Sequence, residues 1–446
     1  MNKPAPIKFY SIPFEGEFIV YRPFRSLAFI ANAALVQYLR GRLQYSEATQ
    51  NPEIETFLNS LHFWEPDPAP PREGDLQQHY RPTMAVLLMT NRCNLGCSYC
   101  YANAGKRPPR DLSLPLATRV IDAACENAQA SGEESFSLAF HGGGEPTVNW
   151  TVFTHAVAYA RRKPLPCHVS LSTNGVWTPA QRRFILDQVQ NVSLSFDGIQ
   201  AVQDQQRPRS DGTGSFATVM ESIRALEDTG LAYGIRATAP AETLHRLPEG
   251  VAFLCEQTQA QAIQVEPTYT SKRGHYADMA DDYAQRFIET FMEAFEIAAR
   301  AGRSLSYSGA RPWVITTAFC QAFSRALIVT PQGKLVTCFE IYDSELPFAD
   351  PFIIGDVTPD GVQTDQTRLI RFGESQRAQR AECQDCFCYW HCCGDCASRR
   401  MVSAANQSAR CRVNQGITRE ILAWSIAQGQ GVWHGQRGLA SEPAII

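Results

Sequence analysis

The sequence predicts an α/β protein: a partial barrel of six βα units, a TIM-type (β/α)6 arrangement, with a small α+β unit before it and a cysteine-rich domain after it. Three observations predict this. From residue 84 to about 266, short apolar runs alternate with amphipathic segments, the pattern of repeated βα units around a parallel sheet. Residues 8 to 62 read instead as a hairpin followed by helices. Nine of the fifteen cysteines fall between Cys320 and Cys411.

In chain order, residues 1–66 form the first unit. Its hairpin pairs 18–21 with 27–30 across 22–26, and helices follow at 31–40 and 52–61, where Pro52 suits a first helical position. The run WEPDPAPPREGDLQQHYRP, rich in proline and charge, predicts a solvated linker placed at 67–83. The barrel, 84–300, draws its strands from 85–89, 135–140, 168–172, 192–196, 233–238 and 262–266, with a long helix at 283–301. In such a barrel the functional residues gather at the C-terminal strand ends, where the βα loops meet. A bridging segment (301–319), the cysteine-rich domain (320–412), and a last helix at 413–428 with a loosely held tail (413–446 in all) complete the chain.

A length of 446 residues favours two or three domains. A net charge of -4 leaves no electrostatic footprint for nucleic acid or an anionic membrane. The N-terminus has no continuous apolar segment and no run of eighteen apolar residues occurs, so neither a signal peptide nor a membrane span is expected, and the chain is expected to be cytoplasmic. In that reducing compartment cysteines serve as metal ligands, catalytic groups or packing residues, the last being expected of the scattered Cys125, Cys167 and Cys255.

The first predicted strand runs into LLMTNRCNLGCSYCYANAG, which sets Cys93, Cys97 and Cys100 in C-x3-C-x2-C spacing on one loop. Three thiolates leave one iron of a four-iron cluster open to an outside ligand, whereas structural zinc usually takes four protein ligands. With aromatic Tyr99 before the last cysteine, this loop resembles the signature of the radical S-adenosylmethionine (SAM) superfamily. FHGGGEP (140–146), LSTNG (171–175) and SLSFDG (193–198) follow in that superfamily's order at the ends of the second, third and fourth strands. The resemblance implies a SAM-binding 4Fe-4S cluster on the three cysteines. It further implies that Gly143, Gly144 and Glu145 receive the amino group of SAM, that Asn174 and Ser195 lie near its ribose and carboxylate, and that Arg236 is a further carboxylate contact. The third glycine in the run leaves room for a one-residue offset in that register.

Farther on, Cys320, Gly333, Cys338, Cys383, Cys386, Cys392, Cys396 and Cys411 follow the order C-x12-G-x4-C, C-x2-C-x5-C-x3-C and a last cysteine. This resembles the SPASM domain, the auxiliary-cluster extension of peptide-modifying radical SAM enzymes. The resemblance implies two auxiliary 4Fe-4S clusters, three clusters in all: one on Cys383, Cys386, Cys392 and Cys411, the other on Cys320, Cys338 and Cys396. The latter set is one ligand short, leaving an open iron or a borrowed side chain. Cys388 and Cys393 are extra. A zinc-ribbon reading of the C-x2-C and C-x3-C pairs stands beside this one.

SPASM enzymes mostly act on peptides, and the N-terminal hairpin and helices resemble the winged-helix element that binds the leader of a ribosomally made precursor, although a plain capping domain would read the same. The expectation is a peptide maturase that forms a thioether, a carbon-carbon cross-link or a related modification, with a precursor peptide and a flavodoxin- or ferredoxin-type electron donor as partners. Glu340, two residues after Cys338, is the candidate base; Asp197 and Glu266 also lie at strand ends, Asp197 in an Asp-Gly turn. An anaerobic sulfatase-maturing activity is the alternative, against which stands Phe339, where that family resemblance expects an aspartate. A non-catalytic electron carrier or scaffold is the reading from another class.

Overall fold

Six parallel strands stand where the alternation of apolar and amphipathic segments predicts them. In the computed structural model, residues 7–44, 51–71, 80–276, 279–402 and 406–435 are described; the linker stretch 72–79 and the tail 436–446 lie outside them. The N-terminal strands are β1 (Tyr10–Phe14), β2 (Glu17–Arg22) and β3 (Leu27–Ala31), and the six barrel strands are β4 (Met84–Leu88), β5 (Phe136–His141), β6 (Cys167–Thr173), β7 (Asn191–Ser195), β8 (Ala232–Ala239) and β9 (Ala262–Pro267). Each barrel strand pairs in parallel with the next. A small hairpin, β10 (Thr270–Lys272) with β11 (His275–Tyr276), follows.

The period of two along these strands sorts their side chains. Leu87, Leu138, Leu171, Leu194, Ile235 and Ile263 pack into one core with Val120, Ile121, Phe153, Ile185, Ile223 and Leu254 of the covering helices. On β6 to β9 the alternate positions, including Ser170, Ser172, Ser193, Ser195, Arg236 and Gln264, are polar and line the opposite, concave face, whereas on β4 and β5 Val86, Leu88 and Ala139 pack there against Ile328, Val336 and Ile341. A serine every second residue is a poor core for a sheet but a suitable wall for a polar ligand.

The sheet continues past the six units on both sides. Beyond β9 lies β12 (Ser304–Ser306), parallel to it. On the other edge β13 (Ala326–Val329) runs parallel to β4 and leads to antiparallel β14 (Lys334–Val336), β15 (Ile353–Thr358) and β16 (Gly361–Thr364), so eleven strands form one sheet in the order β12-β9-β8-β7-β6-β5-β4-β13-β14-β15-β16. Strands from 84–300, 301–319 and 320–412 therefore share one hydrogen-bonded sheet, which places the cysteine-rich segment against the barrel's open edge.

β1, β2 and β3 form an antiparallel sheet, joined on the far side of β3 by β17 (Val432–His434) from the chain's other end. One face packs Tyr10, Ile12, Ile19 and Tyr21 against Leu422 and Ile426 of the helix Asn406–Gln428; the other packs Val20, Leu27 and Phe29 against Val36, Leu39 and Leu58. The helix Pro52–Ser60 begins as its proline suggests, with Asn51 Oδ1 accepting the backbone N–H groups of Glu53 and Ile54. Two expectations are corrected here. Asp67, in the segment expected to be solvated, is buried, accepts the Lys8 N–H at 3.1 Å and pairs with the fully buried Arg22. The part of the tail up to His434 is held as a strand, because β3 otherwise ends the sheet in unpaired backbone groups.

Candidate functional site at the barrel mouth

The loop after β4 carries Cys93, Cys97 and Cys100, and other loops at the same end of the sheet anchor it. Gly96 N–H donates to Pro208 O at 2.7 Å and Ser98 N–H to Gln206 O at 2.9 Å. Arg273, in the β10–β11 turn, donates to Cys97 O at 2.8 Å, to Asn103 Oδ1 at 3.1 Å and to Ala104 O. Burial above all, with neighbouring thiols adding to it, holds the Cys93 thiol up to about 12 and the Cys97 thiol up to about 11, while Arg207 and Arg273 pull Cys97 the other way. Three thiolates so placed repel one another and call for a cationic partner.

The donor set suits an iron-sulfur cluster. Cys93 Sγ accepts Leu95 N–H at 3.4 Å and is approached by Asn174 Nδ2 at 3.7 Å, the kind of hydrogen bond that tunes a cluster's sulfur ligands. Among the described residues no three ligating side chains close on the position of a single ion; a four-iron cluster does not ask this of them, since each thiolate takes a different iron.

Tyr99 does not point its hydroxyl at an open space: it donates to Asp197 Oδ2 at 2.6 Å. Asp197 is a hub beyond its Asp-Gly turn, also accepting Arg207 Nε at 2.9 Å, Gln206 Nε2 at 2.8 Å and Thr238 N–H at 3.0 Å. Arg207 in turn lies over the Tyr99 ring, 5.2 Å from its centroid. This network ties the cysteine loop to the ends of β7 and β8. Replacing Asp197 by Asn leaves Arg207 buried without its counter-charge, and a loss of about 3–5 kcal/mol is expected in chemical denaturation.

The glycine run is a place of close approach. A Cβ on Gly144 would stand 2.0 Å from Arg92 O, and one on Gly143 would stand 2.4 Å from the Tyr342 ring. Gly144 N–H donates to Thr90 O and Glu145 N–H to Arg92 O, both at 2.9 Å, which locks this turn to the cysteine loop. Glu145 itself is buried and spent on protein groups: Oε1 accepts Thr147 Oγ1 at 2.8 Å and Thr173 Oγ1 at 2.9 Å, and Oε2 accepts Asn174 N–H at 2.8 Å. Burial raises its pKa. The structure thus gives the Glu145 side chain the work of joining the ends of β5 and β6. Asn174, from the latter, donates to Asn94 Oδ1 at 2.8 Å beside Cys93.

Ser195 and Arg236 sit side by side on β7 and β8. The charge of Arg236 acts on His141, at the end of β5, whose imidazole is pushed down to about 4 by burial and then by that charge. His141 Nδ1 accepts Gly142 N–H at 2.9 Å, and its ring stacks on Phe339 with centroids 5.1 Å apart. The unfolded chain takes up a proton near pH 6.5 that the folded His141 refuses until about 4, so stability falls as pH drops through that window, by up to about 3 kcal/mol from this group. A shallower slope for His141→Phe in denaturation curves between pH 4 and 7 checks this.

Phe339 and Tyr342 belong to the segment after Cys338, which closes over the barrel mouth; the Tyr342 hydroxyl donates to Ala102 O at 2.9 Å. Behind it the seven cysteines of the SPASM-like spacing fall into two neighbourhoods. Cys320, Cys338 and Cys396 act electrostatically on one another, together with Glu340, whose carboxylate accepts Ser398 Oγ at 2.7 Å and pairs with Arg399. Cys383, Cys386, Cys392 and Cys411 form the other, with Asn414 Nδ2 3.3 Å from Cys392 Sγ and Gln415 Nε2 3.5 Å from Cys386 Sγ. Sequence reasoning passed over Arg207, Arg273, His141 and Tyr342. Only His141 had a signal, its place inside FHGGGEP; the others reach the site from distant loops.

Residues 87–253 match the family described as the radical SAM superfamily. Mycofactocin maturase MftC of Mycolicibacterium smegmatis is 28% identical over 335 residues, spanning 71% of this chain and 78% of that protein. The serine-type anaerobic sulfatase-maturating enzyme of Klebsiella aerogenes is 24% identical over 348 residues, spanning 74% and 83%. The solved structure of anSMEcpe with bound AdoMet and Cp18Cys peptide shares the fold, with a TM-score of 0.58 at 16% identity, over 78% of this chain and 99% of that one.

Proposed function

We propose, starting from a chain that carries a radical SAM domain and is an enzyme acting on a peptide, that it matures a ribosomally made precursor by forming a cross-link, thioether or carbon-carbon, or a related modification. The observation that carries this is the polar concave wall of the barrel, opening beside a three-thiol loop and covered by the segment after Cys338. When bound, the cluster and SAM supply the electron and the 5'-deoxyadenosyl radical that removes a substrate hydrogen atom.

This chain's residues do the rest. Cys93, Cys97 and Cys100 would hold the cluster, and the backbone of Gly143 and Gly144 would receive the amino end of SAM. Asn174, Ser195 and Arg236 would face its ribose and carboxylate. Tyr342 and Phe339 exclude water from the mouth, which protects a reactive intermediate. Two auxiliary clusters on the remaining sets would take up the electron released when the new bond forms. The unit at residues 8–62 would bind the leader, which can add to a sheet edge as a further strand. A flavodoxin- or ferredoxin-type protein would supply electrons.

The reading places the enzyme in the cytoplasm, away from nucleic acid and membrane. Among the described residues no helix is long and apolar enough to cross a membrane. The likeness to the Klebsiella enzyme keeps formylglycine formation as a second reading, disfavoured by Phe339, which stacks on His141 where a carboxylate is expected. Anaerobic co-expression with small precursor peptides sought in the neighbouring reading frames tests the proposal: loss of hydrogen mass from one such peptide, with stoichiometric 5'-deoxyadenosine, is expected. An unmodified peptide, or 5'-deoxyadenosine made only with a sulfatase-type peptide, overturns it.

A further inference from the structure

The thiols of Cys320, Cys338 and Cys396 number three, where a closed four-iron cluster takes four ligands. Glu340 lies two residues after Cys338, and its carboxylate reaches the helix that begins directly after Cys396. Its position is fixed from both sides. Ser398 Oγ, on the helix Ala397–Val402, lies 3.3 Å from Cys396 Sγ and donates to Glu340 Oε2 at 2.7 Å, so that oxygen is one hydroxyl away from a ligand sulfur. The other oxygen, Oε1, is held by Arg399.

Three other candidate ligands, Cys393, Cys388 and Asp395, are committed elsewhere. Cys393 Sγ donates to Thr316 O at 3.2 Å, and Cys388 Sγ lies 3.6 Å from Thr418 Oγ1, in the neighbourhood of Cys386 and Cys392. Asp395, which also acts on Cys396, is taken by Arg410 through both carboxylate oxygens.

We propose that Glu340, through Oε2, is the fourth ligand of the cluster held by Cys320, Cys338 and Cys396. Arg399 then keeps the carboxylate monodentate by holding Oε1, and Ser398 hydrogen-bonds the bound oxygen. Glu340 is a ligand in this arrangement and not the proton acceptor expected from its place in the sequence. The inference rests on the auxiliary-cluster reading above.

The test uses the full chain, reconstituted without oxygen and saturated with a SAM analogue in which an ammonium nitrogen replaces the sulfonium sulfur, which the reduced cluster cannot cleave, so that the cluster on the first cysteine loop has no vacant iron. Iron content and 13C-cyanide coupling in the reduced protein are compared for the parent, Glu340→Ala, Glu340→Gln and Glu340→Cys. The parent should hold about twelve irons, four per cluster, and show no cyanide coupling. Glu340→Ala and Glu340→Gln should gain the coupling or lose about four irons. Glu340→Cys should restore full iron and abolish the coupling, which a residue serving only as the partner of Arg399 would not do.

Cyanide coupling in the parent equal to that in Glu340→Ala, or a Glu340→Gln protein indistinguishable from the parent, overturns the ligand assignment. A parent that holds no more iron than Cys320→Ala/Cys338→Ala overturns the auxiliary-cluster reading itself, a separate result.

Discussion

Replacement of Cys93, Cys97 and Cys100 together by alanine is expected to reduce SAM cleavage to the uncatalysed background while leaving the absorbance of the auxiliary clusters. The three residues share one loop and would share one cluster, and the cleavage step belongs to that cofactor rather than to any side chain. The seven cysteines of the two auxiliary sets stand on other elements, from Cys320 onward, so their cluster sites should survive the change. The measurement is 5'-deoxyadenosine release beside the visible spectrum. Cleavage that persists in the triple variant would remove the assignment of this loop.

The second large effect is expected at the glycine run, and two adjacent glycines should differ in kind. Alanine at Gly144 places a methyl group 2.0 Å from Arg92 O, which is backbone of the cysteine loop and cannot swing aside. The loop must shift, and a displacement near 1 Å at a reacting site costs roughly 100-fold in rate. Alanine at Gly143 meets the Tyr342 ring, a side chain that can be cut back. Gly143→Ala should therefore regain SAM cleavage when combined with Tyr342→Ala, whereas Gly144→Ala should stay inactive with or without Tyr342. Equal rescue of both would show that the two contacts are not what constrains the turn.

Much of the barrel was legible because its signal is local. Short apolar runs with amphipathic segments between them specify parallel βα units, and all six strands stand within a residue or two of their predicted places. The cysteine loop was legible for the same reason, since three ligands within eight residues need no tertiary information to be recognised. The Tyr99 hydroxyl was not. Its partner Asp197 is 98 residues away, and nothing in SYCY or SFDG alone says they meet. Glu145 shows the converse: a motif residue whose carboxylate, once folded, is consumed by Thr147, Thr173 and Asn174.

The sequence by itself determined the six βα units of the barrel, the loop that carries three thiols, and the motifs at the strand ends, because each depends on spacing along a few consecutive residues. Only the tertiary structure decided that β13 extends the barrel sheet, that β17 closes the N-terminal sheet, and that Glu340 stands among three cysteines. Those facts follow from backbone edges seeking partners, in one case from opposite ends of the chain, and from charges brought together by the fold, and the partner of an edge strand or of a buried charge is written in no local pattern.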